Sequence, residues 1–522
     1  MSYKKIIASA MVTLMLSLSF AGCDDANNNN ENDTTKVNTS ISNIDISDMF
    51  TDRDRDISYD EASAVKITLG GNEIECDSSL VKIDESTATI SGEGVFVVSG
   101  SLTNGQIVVD ASDEKVQIVL KDANIKCADS APIYVKNADK VFVTLANDSL
   151  NILTTSGEFE SDGDTNVDGV IFAKDDITLN GNGILNINTE NGHGIVCKND
   201  LVIAGGTYNI DVSGHGLVGK DSIRIADGII NINAGEDAIH GKNDDEVNMG
   251  FVYIADGTFE IETGDDAIHS SAWLQIDNGN IDIVTSNEGL EGSSVVINGG
   301  NINVTATDDG INAAGDGQEV YIKISGGIVN VDARGDGLDS NGYIYISGGE
   351  LYVMGPADNG NSSIDSEFGS EVTGGMVVAA GSSGMAQNFN DSSTQGSIMI
   401  NLTGNTNGEI VLKDSEGNEF ISYTPSREYS NVIISVPQIE ADATYTIVTG
   451  TTETTVEMTS LIYGTGFGGP GGGPGGFNGE PPSDFEGGGP GGFNGEPPSD
   501  FEGGRPGGFN GEPPSDFNGE RP

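Results

Sequence analysis

Aromatic residues are scarce in this chain. They make up 6% of its 522 residues, with Trp273 the single tryptophan, while glycine reaches 74; so little bulky side-chain volume argues against a wide globular core. Cations are scarce too, since 23 lysines and arginines face 81 aspartates and glutamates for a formal net charge of −58. That balance excludes nucleic acid as a natural ligand, because phosphate binding needs a basic surface. It favours cations and, through bridging cations, acidic polymers. Long apolar runs are also missing. The run at residues 6–20 follows Lys4 and Lys5 and is too short for a good transmembrane span. It ends in Ala21-Gly22-Cys23, with Phe20 where such signals usually carry Leu, so residues 1–22 read as a secretion signal with a lipoprotein-type cleavage site. Cys23 is then the lipidated residue, and the protein is expected at the cell surface as a monomeric, extracellular lipoprotein that touches the membrane only through its anchor. Three cysteines remain: Cys76, Cys127 and Cys197. An odd number forbids complete pairing; a Cys76–Cys127 bridge is open, and Cys197 reads as a small buried apolar residue.

What the chain does have is a short phrase that returns about every 22 residues between Asp168 and Asp365: an acid, Gly or Ala, Ile or Leu, then often a second polar residue. It reads Asp237-Ala238-Ile239-His240, Asp266-Ala267-Ile268-His269, Glu288-Gly289-Leu290-Glu291, Asp309-Gly310-Ile311-Asn312 and Asp336-Gly337-Leu338-Asp339; His193-Gly194-Ile195 and His215-Gly216-Leu217 continue it toward the N-terminus. Self-similarity at a fixed period points to a solenoid. Within a repeat, Ile230-Asn231-Ile232-Asn233 and Ile302-Asn303-Val304-Thr305 alternate apolar and polar, as half-buried strands do. Gly pairs such as Gly326-Gly327 and Gly348-Gly349 suit turns that need positive φ. Three short strands per repeat predict an all-β fold, a right-handed parallel β-helix, ahead of an antiparallel sandwich.

The organisation follows. Residues 23–45 are an Asn, Asp, Thr and Ser linker too polar to fold. Residues 46–131 alternate without a clear repeat and form an N-terminal cap or the first coils; residues 132–394 are the β-helix; residues 395–460 keep the alternation without the acidic phrase and read as a small C-terminal β module. In residues 461–522 a Gly- and Pro-rich unit containing Phe477, Phe485, Phe493 and Phe501 repeats every 16 residues, a composition expected to be a disordered tail.

Coils of a β-helix lie about 4.8 Å apart. Carboxylates at Asp237, Asp266, Glu288, Asp309 and Asp336 therefore stand in a row, with Asp265 and Asp308 one position earlier. Each adjacent pair repels by about 0.9 kcal/mol in water and about 3.5 kcal/mol at an effective dielectric of 20. Arg334 is the single cation among the acidic phrases from Glu260 to Asp339, so the row calls for a divalent ion, and hard oxygen ligands in an exported protein select Ca²⁺. A second column of His240, His269, Glu291, Asn312 and Asp339 flanks it, the histidines suited to hydrogen bonding rather than to calcium. Polar turn ladders without metal are the plain alternative, and the carboxylate majority opposes a transition metal. Lys198, Lys220 and Lys242 form a basic column, fit either to meet uronate carboxylates or to pair with nearby aspartates. Outward strand positions Asn209, Asn231, Glu260, Asp282, Asn303 and Asn330 offer a polar face for sugar hydroxyls, and Tyr321, Tyr343, Tyr345 and Tyr352 gather in the last coils.

The phrases Asp-Asp-Ala-Ile-His at 265–269, Asn-Glu-Gly-Leu-Glu at 287–291, Asp-Asp-Gly-Ile-Asn at 308–312, Gly-Asp-Gly-Leu-Asp-Ser at 335–340 and Gly-Ser-Ser-Gly-Met-Ala-Gln at 381–387 resemble the clostridial carbohydrate-binding β-helix family over residues 62–459. The resemblance implies a polysaccharide-lyase-like fold, surface exposure, and binding of calcium, cellulose and acidic plant polysaccharides. It implies calcium ligands among Asp237, Asp265, Asp266, Glu288, Glu291, Asp308, Asp309, Asp336 and Asp339. A non-catalytic, calcium-dependent binder of plant cell-wall or other acidic polysaccharide is the reading preferred here. A pectate-type lyase using Lys220, Lys242 or Arg334 as base, and a calcium-stiffened adhesin, are the alternatives.

Overall fold

The repeat supplies three strands per coil, and the computed structural model, which describes residues 46–315 and 320–464, stacks them in register. One strand from each coil joins a 13-stranded sheet; the other two join a 23-stranded sheet that wraps the rest of the tube. The result is a parallel β-solenoid of about 11 turns. Its pairing is fixed by apolar columns. Ile195, Leu217, Ile239, Ile268, Leu290, Ile311 and Leu338 pair in succession through parallel ladders. All are fully buried, each such side chain contributing about 1.5–3 kcal/mol by leaving water. Tyr208, Ile230, Phe259, Ile281, Ile302 and Val329 make a second column in the same way. Aliphatic stacking thus replaces the bulky core that the composition lacks.

The spacing departs from a strict 22. Coils range from the 19 residues between Ala88 and Ile107 to the 38 between Ile133 and Ile171, with 29 between Ile239 and Ile268, because the solenoid absorbs extra residues in loops such as 242–250 without shifting the ladders. Gly327 and Gly349 turn the chain between the two strands of the large sheet at φ of 86° and 81°, a conformation L side chains rarely adopt.

Parallel stacking begins at Val65–Gly71, which pairs with Gly94–Leu102, so residues before 132 already build coils. Ahead of them, residues 46–56 form a strap with a one-turn helix, Asp52–Arg55, closed by a Thr51/Asp54 capping box. The strap lies along one outward row of the large sheet. Arg53 bonds Gln117 at 2.9 Å and sits over Phe142 at 4.4 Å; buried Asp54 meets Lys140 at 2.7 Å and Thr178 at 2.6 Å. Farther along, Arg224 donates to the Met49 carbonyl at 3.1 Å and Phe50 packs on Tyr253. Cys76, Cys127 and Cys197 are free thiols, so no Cys76–Cys127 bridge forms, and Cys197 is fully buried.

At the other end, Tyr429–Ser435 runs antiparallel to Gly369–Gly381, the last coil strand, and Ser397–Thr406 pairs beyond it. A four-stranded antiparallel sheet, Glu419–Tyr423, Ile410–Asp414, Thr444–Thr449 and Thr452–Glu457, completes a module with its own apolar cluster around Ile410, Leu412, Val432 and Ile447. Covering the open edge protects it from pairing with other chains. The secretion signal, Cys23, the linker and most of the Gly/Pro tail lie outside the described residues.

Candidate functional site

The acidic phrase falls where the third strand of one coil bends into the strand of the small sheet. Since Ile239, Ile268, Leu290, Ile311 and Leu338 are in register, the residues two places before them form one column: Asp237, Asp266, Glu288, Asp309 and Asp336, preceded by His193 and His215. The residues one place after form the second: His240, His269, Glu291, Asn312, Asp339 and Asp365.

The first column is wired to the backbone. The N–H of Asp266 donates to Asp237 Oδ1 at 3.0 Å, that of Glu288 to Asp266 Oδ1 at 3.1 Å, and that of Asp336 to Asp309 Oδ1 at 2.6 Å; Ser362 donates in the same way to Asp336. At Asp237, Asp266, Asp309 and Asp336 one carboxylate oxygen is thereby spent on the next coil's amide. The Asx habit of bonding nearby backbone accounts for that half of the column, and the second oxygen is left for another partner.

Histidines divide the columns into two chemistries. His193, His215, His240 and His269 stack with ring centroids 5.0, 4.1 and 5.1 Å apart. His193 Nδ1 accepts the N–H of His215 at 2.8 Å, and His215 Nδ1 accepts that of Asp237 at 3.0 Å. An imidazole accepting at Nδ1 carries its proton at Nε2, which in His215 meets Glu236 at 3.1 Å. Neither ring then has a lone pair for a metal. Burial pushes both rings below the ordinary histidine value, His215 to about 4.

The next two rings serve carboxylates. His240 Nδ1 bonds Asp237, and His269 Nδ1 bonds Glu291 with Asp266 at 3.8 Å. Burial opposes charge on His269, but bonds to Asp266 and Glu291 outweigh it and hold the ring up to about 10, an imidazolium. For Asp237 burial is likewise outweighed, chiefly by the His240 bond, and its carboxyl is lowered. Arg334 is therefore not the sole cation among the acidic phrases: His269 is a second, beside Glu291 one coil on.

Past Glu291 the columns turn all-oxygen. Carboxylate oxygens of Asp309, Asp336 and Asp339 lie within 4.8 Å of one another, and Asp365 continues the second column. Burial, then neighbouring carboxylates, raises Asp336 to about 8 and Asp309 and Asp339 to about 6. Burial also lifts Glu288 to about 8, although Asn312 Nδ2 donates to it at 2.9 Å. Asn312 Oδ1 is buried with no hydrogen-bond partner. A Cβ on Gly335 would collide with carboxylate oxygens of Asp308 and Asp309, so glycine there makes room for them. Buried carboxylates of one sign, an orphaned amide oxygen and a backbone without a side chain fit a hard divalent cation such as Ca²⁺. A further carboxylate group, Asp237, Asp265 and Asp266, is also within 4.8 Å, but Asp237 and Asp266 already face His240 and His269.

The basic column is in register but engaged. Lys220 pairs with Asp245 at 2.6 Å, Lys242 lies 3.9 Å from Asp244, and Lys198 sits over the Phe172 ring at 5.3 Å. The polar face forms amide ladders: Asn209 donates to Asn186 and Asn231 to Asn209, each at 2.8 Å, and Asn330 donates to Asn303 at 3.0 Å. Tyr343 stacks on Tyr345 at 5.6 Å and packs against Phe368 at 5.5 Å; Trp273 stacks on Phe251 at 4.2 Å, four coils of partners that sequence spacing alone did not pair.

A family model described as "Carbohydrate-binding domain-containing protein" matches residues 84–319 and 286–461. Among curated proteins, a carbohydrate-binding domain-containing protein of Acetivibrio thermocellus is 36% identical over 149 residues, which is 28% of this chain and 52% of that protein. The chain therefore spans about half the length of that curated relative. Among solved structures, the polysaccharide lyase-like protein from C. thermocellum, as a gadolinium derivative, is similar at 33% identity and a TM-score of 0.40, over 46% of this chain and 93% of that one.

Proposed function

From the premise that the chain belongs to the family of carbohydrate-binding domain-containing proteins, we propose that it is a non-catalytic glycan-binding protein, loaded with calcium and displayed at the cell surface through a lipid on Cys23. Family membership carries the glycan reading. The all-oxygen group of Asp309, Asp336 and Asp339, with the orphaned Asn312 oxygen beside it, supports the calcium. Asp309, Asp336 and Asp339 would hold the ion, which would supply positive charge to offset these buried carboxylates and to attract the uronate groups of an acidic polysaccharide. Asp309 and Asp336 each keep one oxygen for the ion while the other holds the next coil's amide. Asp265, Asp308 and Glu288 add negative charge along the same rows.

Binding without turnover is favoured by the state of the basic residues. A lyase needs a base poised over the carbon next to a uronate carboxylate. Of the candidates Lys220, Lys242 and Arg334, the two lysines are turned to Asp245 and Asp244.

Affinity retention on polygalacturonate tests the proposal. The exported chain is expected to be held with Ca²⁺ and released by chelator, and Asp336→Asn to weaken retention at least about tenfold, equivalent to about 1.4 kcal/mol. Retention indifferent to chelator sinks the calcium reading. An unsaturated, ultraviolet-absorbing product establishes the lyase instead, and calcium-dependent melting with no glycan retained establishes a structural adhesin.

A further inference from the structure

We infer that the N-terminal end of the rod is a self-association surface, where a second copy of this chain pairs edge to edge about a two-fold axis through Ile83; none of this rests on the glycan reading. The strand Val81–Asp84 begins the 13-stranded sheet and pairs antiparallel with Thr87–Ile90 on one side. Among the described residues no strand lies on its other side. Asp84 and Thr87 close the turn of this hairpin, so its hydrogen-bonded pairs are Asp84/Thr87 and Lys82/Thr89, and the N–H and C=O of Ile83 between them point away from it. The large sheet is thinly closed here too: Val65–Gly71 meets the Ile74–Glu75 strand at two residues, Thr68 with Glu75 and Leu69 with Ile74. Leu80 and Ile83 stay 38% and 36% exposed, and a groove of about 600 Å³ beside Ile83 is walled by Val65, Ile74 and Cys76. The opposite end of the rod, by contrast, carries a whole module over its edge.

Charge selects the occupant. A lysine on an edge strand turns away foreign strands that bring it a cation or an apolar residue. Antiparallel pairing of two copies centred on Ile83 instead sets Lys82 opposite the partner's Asp84 and Asp84 opposite the partner's Lys82, since the two residues stand one place to either side of the centre. Both side chains are at hand, being 78% and 76% exposed and 3.8 Å apart within one chain. At the centre, Ile83 donates its N–H to the partner's Ile83 and accepts one in return, and the two apolar side chains become neighbours. A net charge of −58 opposes association. Rods joined end to end keep most of that charge apart: about 11 turns at about 4.8 Å make each rod about 50 Å long, against a screening length of about 8 Å at physiological salt. An interface this small belongs to the weak, reversible class.

Sedimentation equilibrium of the exported chain at high concentration and physiological salt tests the assignment, with chelator present so that calcium cannot bridge the acidic columns of two copies. A monomer–dimer equilibrium is expected. Lys82→Asp and Asp84→Lys, made singly, each set like charges face to face twice and should raise the dissociation constant about tenfold or more. The two changes combined in one chain should restore pairing. Mixing the two single variants should restore it as well, because one then brings two anions to the other's two cations. Ile83→Pro, which removes the outward N–H, should leave monomer. Melting temperature is read alongside and should stay level in the charge variants, whose positions are exposed. A chain that remains monomeric, a dimer indifferent to both single changes, or losses that neither the double variant nor the mixture repairs overturns the inference. The glycan-binding proposal stands or falls separately, since none of these residues belongs to the acidic columns.

Discussion

Asp237 gives one carboxylate oxygen to the backbone N–H of Asp266, one coil further on, at 3.0 Å, and turns the other to His240. A single side chain thus serves as a rung between coils and as an acid in the candidate site. Asp237→Ala leaves a buried amide and an imidazole unpaired, and is expected to cost about 1–3 kcal/mol. Asp237→Asn keeps an oxygen for Asp266 and should cost less. Urea denaturation of the two variants separates the rung from the charge.

The all-oxygen stretch gives metal-free protein an inverted pH response. Glu288 and Asp336 are raised to about 8, Asp309 and Asp339 to about 6, by burial and then by one another or by adjacent acids. An acid whose folded pKa exceeds its unfolded value binds more protons when folded, so stability declines as pH climbs between the two values. Melting of the chelated protein should therefore fall from about pH 5 to about pH 8. Calcium should remove most of that decline, and Asp336→Asn should shrink it without metal. A flat profile in chelator would show that these carboxylates are not crowded.

Arg427 holds the C-terminal module to the coils. Its guanidinium donates to Asp332 and to the carbonyls of Ala333, Met354 and Gly355, the last at 2.9 Å. Arg427→Ala should cost about 2–3 kcal/mol, and Arg427→Lys should not restore it, since a point-like ammonium cannot match the forked donor set. Hydrogen exchange at Tyr429–Ser435 reads the loosening directly.

Asp54 is buried at the strap with Lys140 at 2.7 Å. Removing it strands Lys140, and loss of one partner of such a pair costs about 3–5 kcal/mol. Asp54→Ala should show that loss in denaturant, and adding Lys140→Met should recover part of it. Burial raises the Asp54 carboxyl, but bonds to Lys140 and Thr178 outweigh it and bring it to about 2. Its stabilising contribution is therefore complete above the ordinary aspartate range and is lost as pH falls toward about 2.

The coil architecture was legible because one phrase carries both its signals: Ile239, Ile268 and Leu290 mark the inward column, and the acids two residues earlier mark the bend. Loops such as 242–250 blurred the period without breaking the phrase. Less was legible at the site. Register follows from repetition, but the partner of a side chain depends on rotamer and on neighbours one coil away. His269 becoming a counter-ion for Glu291, or Lys220 reaching Asp245 in an insertion, leaves no periodic trace. The strap was hidden for a related reason: residues 46–56 touch positions more than sixty residues distant and have no repeat of their own.

That strap changes how the rod comes apart. A column of rungs held solely by nearest neighbours sheds them one at a time from a free end. Here a lengthwise brace grips successive rungs from Gln117 to Tyr253, so none of them can leave without tearing contacts from the rest. The coils beneath the strap are thereby coupled into one block, so that opening any of them is opposed by contacts made to the others.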